Sequence, residues 1–170
     1  GISLPKKNTK SKKRPLTKNK IQAIKTADFL PDEKAYVLIL YGCGLRREEA
    51  LALMKSDINL LDGTLRVEKA VVFDVNRPII KSPKTHNGYR TIPMPDWLTS
   101  YLKEYIPALK TDYLFTTRDE LITKSSFNKM WRRILKKMNL ETDEEITGLT
   151  SHIFRHNYCS NLCYQVPKSV

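Results

Sequence analysis

This 170-residue chain predicts a mainly α-helical fold carrying a small three-stranded antiparallel β-sheet. Three observations lead there. Apolar residues recur at helical spacing over the first and last thirds of the chain. Stretches rich in β-branched and aromatic residues are confined to residues 64 to 94. Helix-opening residues stand where the helical pattern begins: Thr17, Pro31 with Asp32 and Glu33, Pro95 with Asp96, and Thr150 with Ser151.

In chain order, Thr17 caps a helix running to about Phe29. A second opens at Pro31, with acids at its positive end, and stops at "YGCG", where Gly42 or Gly44 can take the left-handed conformation of a helix end. A third begins near Arg46 and continues to about Lys55. The period then turns extended in "TLRVEKAVVF" (64 to 73), "RPIIKSPKT" (77 to 85) and "YRTIPM" (89 to 94), and Asn87-Gly88 predicts a hairpin between the last two. "PDWLTSYLKEYI" (95 to 106) returns to helix, "DYLFTT" is a short extended piece, "KSSFNKMWRRILKKMNL" (124 to 140) is a basic amphipathic helix, and a closing helix follows Ser151.

The net charge of +12 is unevenly spread. Residues 1 to 20 hold eight Lys or Arg and no acid, against 22 bases and 18 acids in the rest. Residues 1–16 therefore read as a basic arm or linker before a domain at 17–170, and the arm's partner is expected to be a polyanion. The expected DNA contacts are Lys6, Lys7, Lys12, Lys13 and Arg14 of the arm, with Lys129, Arg132 and Arg133 of the basic helix. The longest apolar run, near 35 to 45, is too short to span a bilayer, and no export signal opens the chain. Three cysteines without a CxxC pair fit a reduced, cytoplasmic compartment. A start at Gly1 without methionine suggests a piece of a longer protein.

Three constellations carry chemistry. In "GLRREEALAL", Arg46 stands in the first turn of a helix entered through glycine, where free N–H groups favour an anion, and Glu49 is close enough to orient its guanidinium. Taken alone, the cluster is a solvated first turn. In "SPKTHNGYRTIP", Lys84 precedes the Asn87-Gly88 turn, so its ammonium projects from a hairpin tip; alone it is an edge-protecting charge. In "SHIFRHNYCSNLCYQ", His152, Arg155 and His156 lie in a helix otherwise rich in apolar side chains. A buried cation there needs an anionic partner, and no carboxylate follows Glu145. A metal site on the His152, His156, Cys159, Cys163 stripe fails geometrically: eleven residues spread over roughly 16 Å, against metal–ligand bonds near 2.3 Å. At most two neighbours on the stripe could share an ion with ligands from elsewhere, and the cysteines read more readily as core packing. Two arginines, a lysine and a histidine from separate elements suit instead a pentavalent phosphoryl transition state, with planar forks for the non-bridging oxygens and proton donors for the bridging ones.

In this order, "GLRREEALAL", "PKTHNGYRTIP" and "HIFRH" resemble the catalytic domain of the tyrosine recombinases, particularly integrases of phages and conjugative transposons, over about residues 15 to 168. The resemblance implies a mostly helical domain gripping double-stranded DNA from one side. Arg46 and Arg155 would clamp the scissile phosphate, Glu49 would orient Arg46, Lys84 would protonate the leaving 5′ oxygen, and His152 would assist proton movement at the attacking side or hydrogen-bond the phosphate. His156 matches a family histidine with a structural role. It also implies a homotetramer in the synaptic complex, a bacterial or phage-encoded protein at the nucleoid, and transesterification through a 3′-phosphotyrosine without metal, nucleotide or other cofactor. The family's nucleophilic tyrosine is expected beyond Val170, since Tyr158 and Tyr164 belong to the closing helix and Tyr164 fits poorly. A separate helical DNA-clamping domain would precede this one. The chain alone is then expected to be inactive in strand cleavage. The alternative is a non-catalytic DNA-binding module of the same fold.

Overall fold

The computed structural model describes residues 16–82, 89–143, 146 and 148–165, with side chains as far as Asn161. Helix α2 (Pro31–Cys43) is the axis of the fold. Ala35, Tyr36, Val37, Ile39, Leu40 and Cys43 are all buried, because the helix is apolar on most of its circumference and other helices pack around it. These are α3 (Arg47–Leu51), α4 (Asp96–Tyr105), α5 (Lys124–Leu140) and α6 (Ser151–Gln165). Helix α1 (Lys18–Thr26) lies against α5 and buries Ala23 and Ile24. Its start is set by Thr17, whose hydroxyl accepts the Lys20 N–H at 3.3 Å.

Helix α5 owes its inward face to Phe127, Met130, Ile134 and Met138, one residue per turn. It is fastened to α2 by a fully buried carboxylate. Glu33 accepts the Leu30 backbone N–H at 2.9 Å, Arg133 Nε at 2.9 Å and Lys137 Nζ. Burial raises the Glu33 carboxyl pKa, but hydrogen bonds from Lys137, Arg133 and Leu30 outweigh that and hold it below the usual carboxylate range.

The three-stranded antiparallel sheet is present, in the order β1 (Ile58–Asn59), β2 (Thr64–Val67), β5 (Arg90–Pro93). Its membership differs from the expectation. The stretch 64 to 73 is broken at Glu68-Lys69, where Lys69 turns to the buried Asp57 at 3.2 Å and Glu68 pairs with Arg66. The second half, β3 (Ala70–Asp74), forms its own ribbon with β4 (Arg77–Lys81), closed by Val75-Asn76. Strand β4 therefore pairs with β3, and β5 pairs with β2 through the buried cross-strand pair Leu65 and Ile92. The expected Asn87-Gly88 turn lies outside the described residues.

The tip of the ribbon abuts α5: Asn76 accepts the Ser125 N–H through its side chain at 2.8 Å and the Lys124 N–H through its carbonyl at 3.2 Å. Helix α3 is shorter than expected. It ends at Leu51 because the next residues turn to the 112–114 segment, with Leu114 N–H donating to the Leu53 carbonyl and Lys55 N–H to that of Asp112. A short ribbon, β6 (Thr116–Thr117) with β7 (Glu120–Leu121), follows that segment. No helix among the described residues is long and apolar enough to cross a membrane.

Candidate active site

The α2–α3 junction brings the first arginine to the surface. Gly44 ends α2 at φ 64°, a left-handed conformation, and its missing Cβ makes room for the Tyr158 ring of α6. The chain leaves extended through Arg46, the N-cap of α3. The Arg46 guanidinium is exposed and has no ion-pair partner among the described residues.

Glu49, one turn into α3, is 7% exposed and joins three elements. Its Oε1 accepts the Arg46 backbone N–H at 2.9 Å and Arg90 Nη2 at 2.9 Å; its Oε2 accepts Arg90 Nη1 at 2.7 Å. Arg155 of α6 stands 3.8 Å from Oε1, with its Nη1 donating to the Gly44 carbonyl at 3.1 Å. Burial raises the Glu49 carboxyl pKa, but Arg90, the Arg46 N–H and the charge of Arg155 together hold it below the usual range. Arg90 is shifted upward by the hydrogen bonds it gives Glu49.

Arg46, Glu49 and Arg155 therefore converge. Glu49 meets Arg46 through the backbone N–H, and the guanidinium it grips is that of Arg90. A cleft of about 250 Å³ opens here, lined by Cys43, Gly44, Arg90, Arg155, Tyr158 and Cys159 among others. The anionic partner expected for Arg155 is thus partly supplied by the fold. The closing helix is less buried than expected: His152 and His156 are both exposed, while Phe154 and Asn157 face inward.

Tyr158 is half-buried against Gly44, and burial raises its hydroxyl pKa. That is a packing environment. Of Tyr164 only the backbone, in α6, is described. Lys84 lies outside the described residues, as do Lys6, Lys7, Lys12, Lys13 and Arg14. Of the basic-helix residues, Lys129, Arg132 and Arg133 are all exposed, and Arg133 is also bonded to Glu33. No group of three or more His, Cys, Asp or Glu that could hold a metal occurs among the described residues.

Arg90 is the residue that sequence reasoning passed over. Its signal is an arginine opening a strand whose inward positions are apolar. Such a residue needs an acid, and Glu49 was already in view.

Residues 14–167 match the model of the phage integrase family. Similar proteins include a tyrosine recombinase XerC-like protein of Caldanaerobacter subterraneus, 29% identical over 76% of this chain and 38% of its own length. The transposase from transposon Tn916 of Enterococcus faecalis is 26% identical over 82% of this chain and 39% of its own. The chain thus spans about two-fifths of the length of these relatives. Among solved structures, the Tn1549 transposon integrase in complex with circular intermediate DNA superposes with a TM-score of 0.75, at 24% identity, over 89% of this chain and 55% of that one. The XerA recombinase superposes at 0.66, with 21% identity, over 88% and 50%. An exposed arginine and a second held beside one buried carboxylate, on the fold of these recombinases and within the matched span, place the chain in the phage integrase family, as a tyrosine recombinase catalytic domain.

Proposed function

We infer that this chain is the phosphate-handling part of a site-specific DNA recombinase that works by metal-free transesterification. The observation that carries the reading is the meeting of the Arg46 backbone N–H and the Arg155 guanidinium, from distant parts of the chain, at Glu49 beside an open cleft. A phosphoryl group passing through five-coordination gathers negative charge on its non-bridging oxygens. The Arg155 guanidinium, fixed by its bond to the Gly44 carbonyl, is preorganised for that charge, and the exposed Arg46 guanidinium closes on it as a second planar fork.

In this reading a tyrosine hydroxyl attacks the scissile phosphorus and the bond to the 5′ oxygen breaks. Lys84 gives the leaving oxygen a proton, and His152 handles the proton at the attacking side or hydrogen-bonds the phosphate. The product is a 3′-phosphotyrosine and a free 5′ hydroxyl, with the bond energy kept for rejoining. The half-buried Tyr158 packs on Gly44 and is not that nucleophile. His156 supports the helix. The basic arm and the exposed Lys129, Arg132 and Arg133 hold double-stranded DNA through its phosphates. The whole protein assembles as a tetramer on two duplexes, in the cytoplasm at the nucleoid.

The test is an SDS-resistant protein–DNA adduct in EDTA, on nicked duplex carrying the ends of the encoding element. This chain is compared with the product of its gene read to the stop codon. An adduct from the longer product alone supports the reading. DNA binding without an adduct from either leaves a non-catalytic DNA-binding module, and an adduct from the short chain makes Tyr164 the first residue to mutate.

A further inference from the structure

The count of hydrogen bonds around Glu49 has a consequence for Arg155. A carboxylate oxygen has two lone-pair positions. On Oε1 both are taken, by the Arg46 backbone N–H and by Arg90 Nη2, each at 2.9 Å. Oε1 is also the oxygen that Arg155 faces, from 3.8 Å, about 0.9 Å beyond an ordinary N–H···O contact. Arg155 cannot close that gap without displacing a bond already made. Its Nη1 goes to the Gly44 carbonyl, a neutral and therefore weaker acceptor.

We propose that Arg90 is a positioning residue for the phosphate site: by occupying both oxygens of Glu49, it prevents Arg155 from collapsing into an ion pair with that carboxylate and so leaves its guanidinium available to a phosphate. The proposal rests on the reading of Arg155 as a phosphate ligand. Glu49 is buried, and without Arg90 it would be an anion short of a cation, with a position open on Oε1. Arg155 is the nearest group able to fill it. The two arginines therefore have different duties beside one acid: Arg90 satisfies the carboxylate, and Arg155, held off by that satisfaction, faces the ligand.

The test uses this 170-residue chain, with inorganic sulfate as the phosphate probe, read at the Arg155 side-chain N–H signals by NMR. A crystal structure of each variant accompanies it. In Arg90→Gln, Arg155 Nη1 should leave Gly44 and bond Glu49 directly, and sulfate affinity at Arg155 should fall about tenfold. Adding Glu49→Gln removes the charge that captures Arg155. The double variant should bind sulfate severalfold more tightly than Arg90→Gln alone, a recovery that neither a merely structural role nor a direct Arg90–anion contact allows.

Arg155 remaining on Gly44 in Arg90→Gln overturns the proposal, as does a loss that Glu49→Gln fails to restore in a variant with unchanged melting temperature. Should the Gln variant not fold, Arg90→Lys carries the test. Its charge and single bond free one position on Glu49, so Arg155 should shift part-way and affinity fall less; an affinity equal to the parent's overturns the proposal. If Arg155 moves as described while the parent chain shows no sulfate response, the phosphate reading fails and the positioning holds.

Discussion

Glu33 and Glu49 are built by the same local device and used in opposite ways. Each is the third residue of a helix, each is buried, and each accepts the backbone N–H of its own N-cap residue at 2.9 Å. Each also gathers two basic side chains from distant parts of the chain. At Glu33 both cations, Arg133 and Lys137, are hydrogen-bonded to the acid, and the result is a closed staple between α2 and α5. At Glu49 one cation is bonded and the other, Arg155, stands off at 3.8 Å beside a cleft. Each acid accepts three hydrogen bonds, so the difference lies in how they are shared. At Glu33 each cation takes one, whereas at Glu49 Arg90 takes two, one on each oxygen, and Arg155 takes none, which separates a structural ion cluster from one able to take a ligand.

The largest expected effect falls on the open cluster. Arg155→Ala, in the complete gene product, should lower the rate of adduct formation by roughly 10²- to 10³-fold, with the melting temperature little changed, since the side chain is one-third exposed and bonded to one carbonyl. Measuring both quantities on one preparation checks it. At the closed cluster the balance reverses. Glu33→Ala should cost about 3 kcal/mol of stability, at the lower end for a broken buried pair because both cations can reach water. Adduct formation well below the melting temperature should be retained.

Acid sharpens the comparison. Both carboxyls are held below their usual range in the folded chain, so their stabilisation is fully present above the unfolded value of about 4.3. It is lost as pH falls through the lower folded value. Glu33→Gln should therefore lose less stability than the parent between about pH 5 and pH 2, as followed by denaturant titration.

Smaller effects separate neighbours on α5. Arg132→Ala should reduce the salt slope of DNA binding by about 0.9, while Arg133→Ala, whose guanidinium is committed to Glu33, should change that slope less and stability more. The smallest concerns the buried Tyr36 hydroxyl, which has no hydrogen-bond partner among the described residues and sits on a ring packed against Phe115, Phe127 and Trp131. Tyr36→Phe should be neutral or stabilising by up to ~1 kcal/mol in thermal unfolding.

Local signals were legible in the sequence and distant pairings were not. Thr17 and Pro31 mark helix starts because their effects act within one turn, and the apolar stripe of 124 to 140 gives the inward face of α5. The alternation in 64 to 94 shows which residues face the core but not which strand lies alongside, so β4 was matched to β5 when its partner is β3. Glu33 reads as a helix-dipole acid in "PDEK"; its cations come from α5, about a hundred residues away, so the bond that Arg133 gives it is not legible in the sequence. In the candidate site, Arg46, Glu49 and Arg155 stood out by residue type and spacing. Arg90 did not, because its role exists only once β5 is laid beside α3.

The most direct test of the contrast between the two acids is to measure adduct rate and melting temperature for Glu33→Gln and Glu49→Gln side by side in the complete gene product. The account predicts a lowered melting temperature with a retained rate for the first, and a rate reduced well beyond any change in stability for the second. Equal loss of rate in both variants, in proportion to stability, would contradict it and make Glu49 a second structural staple.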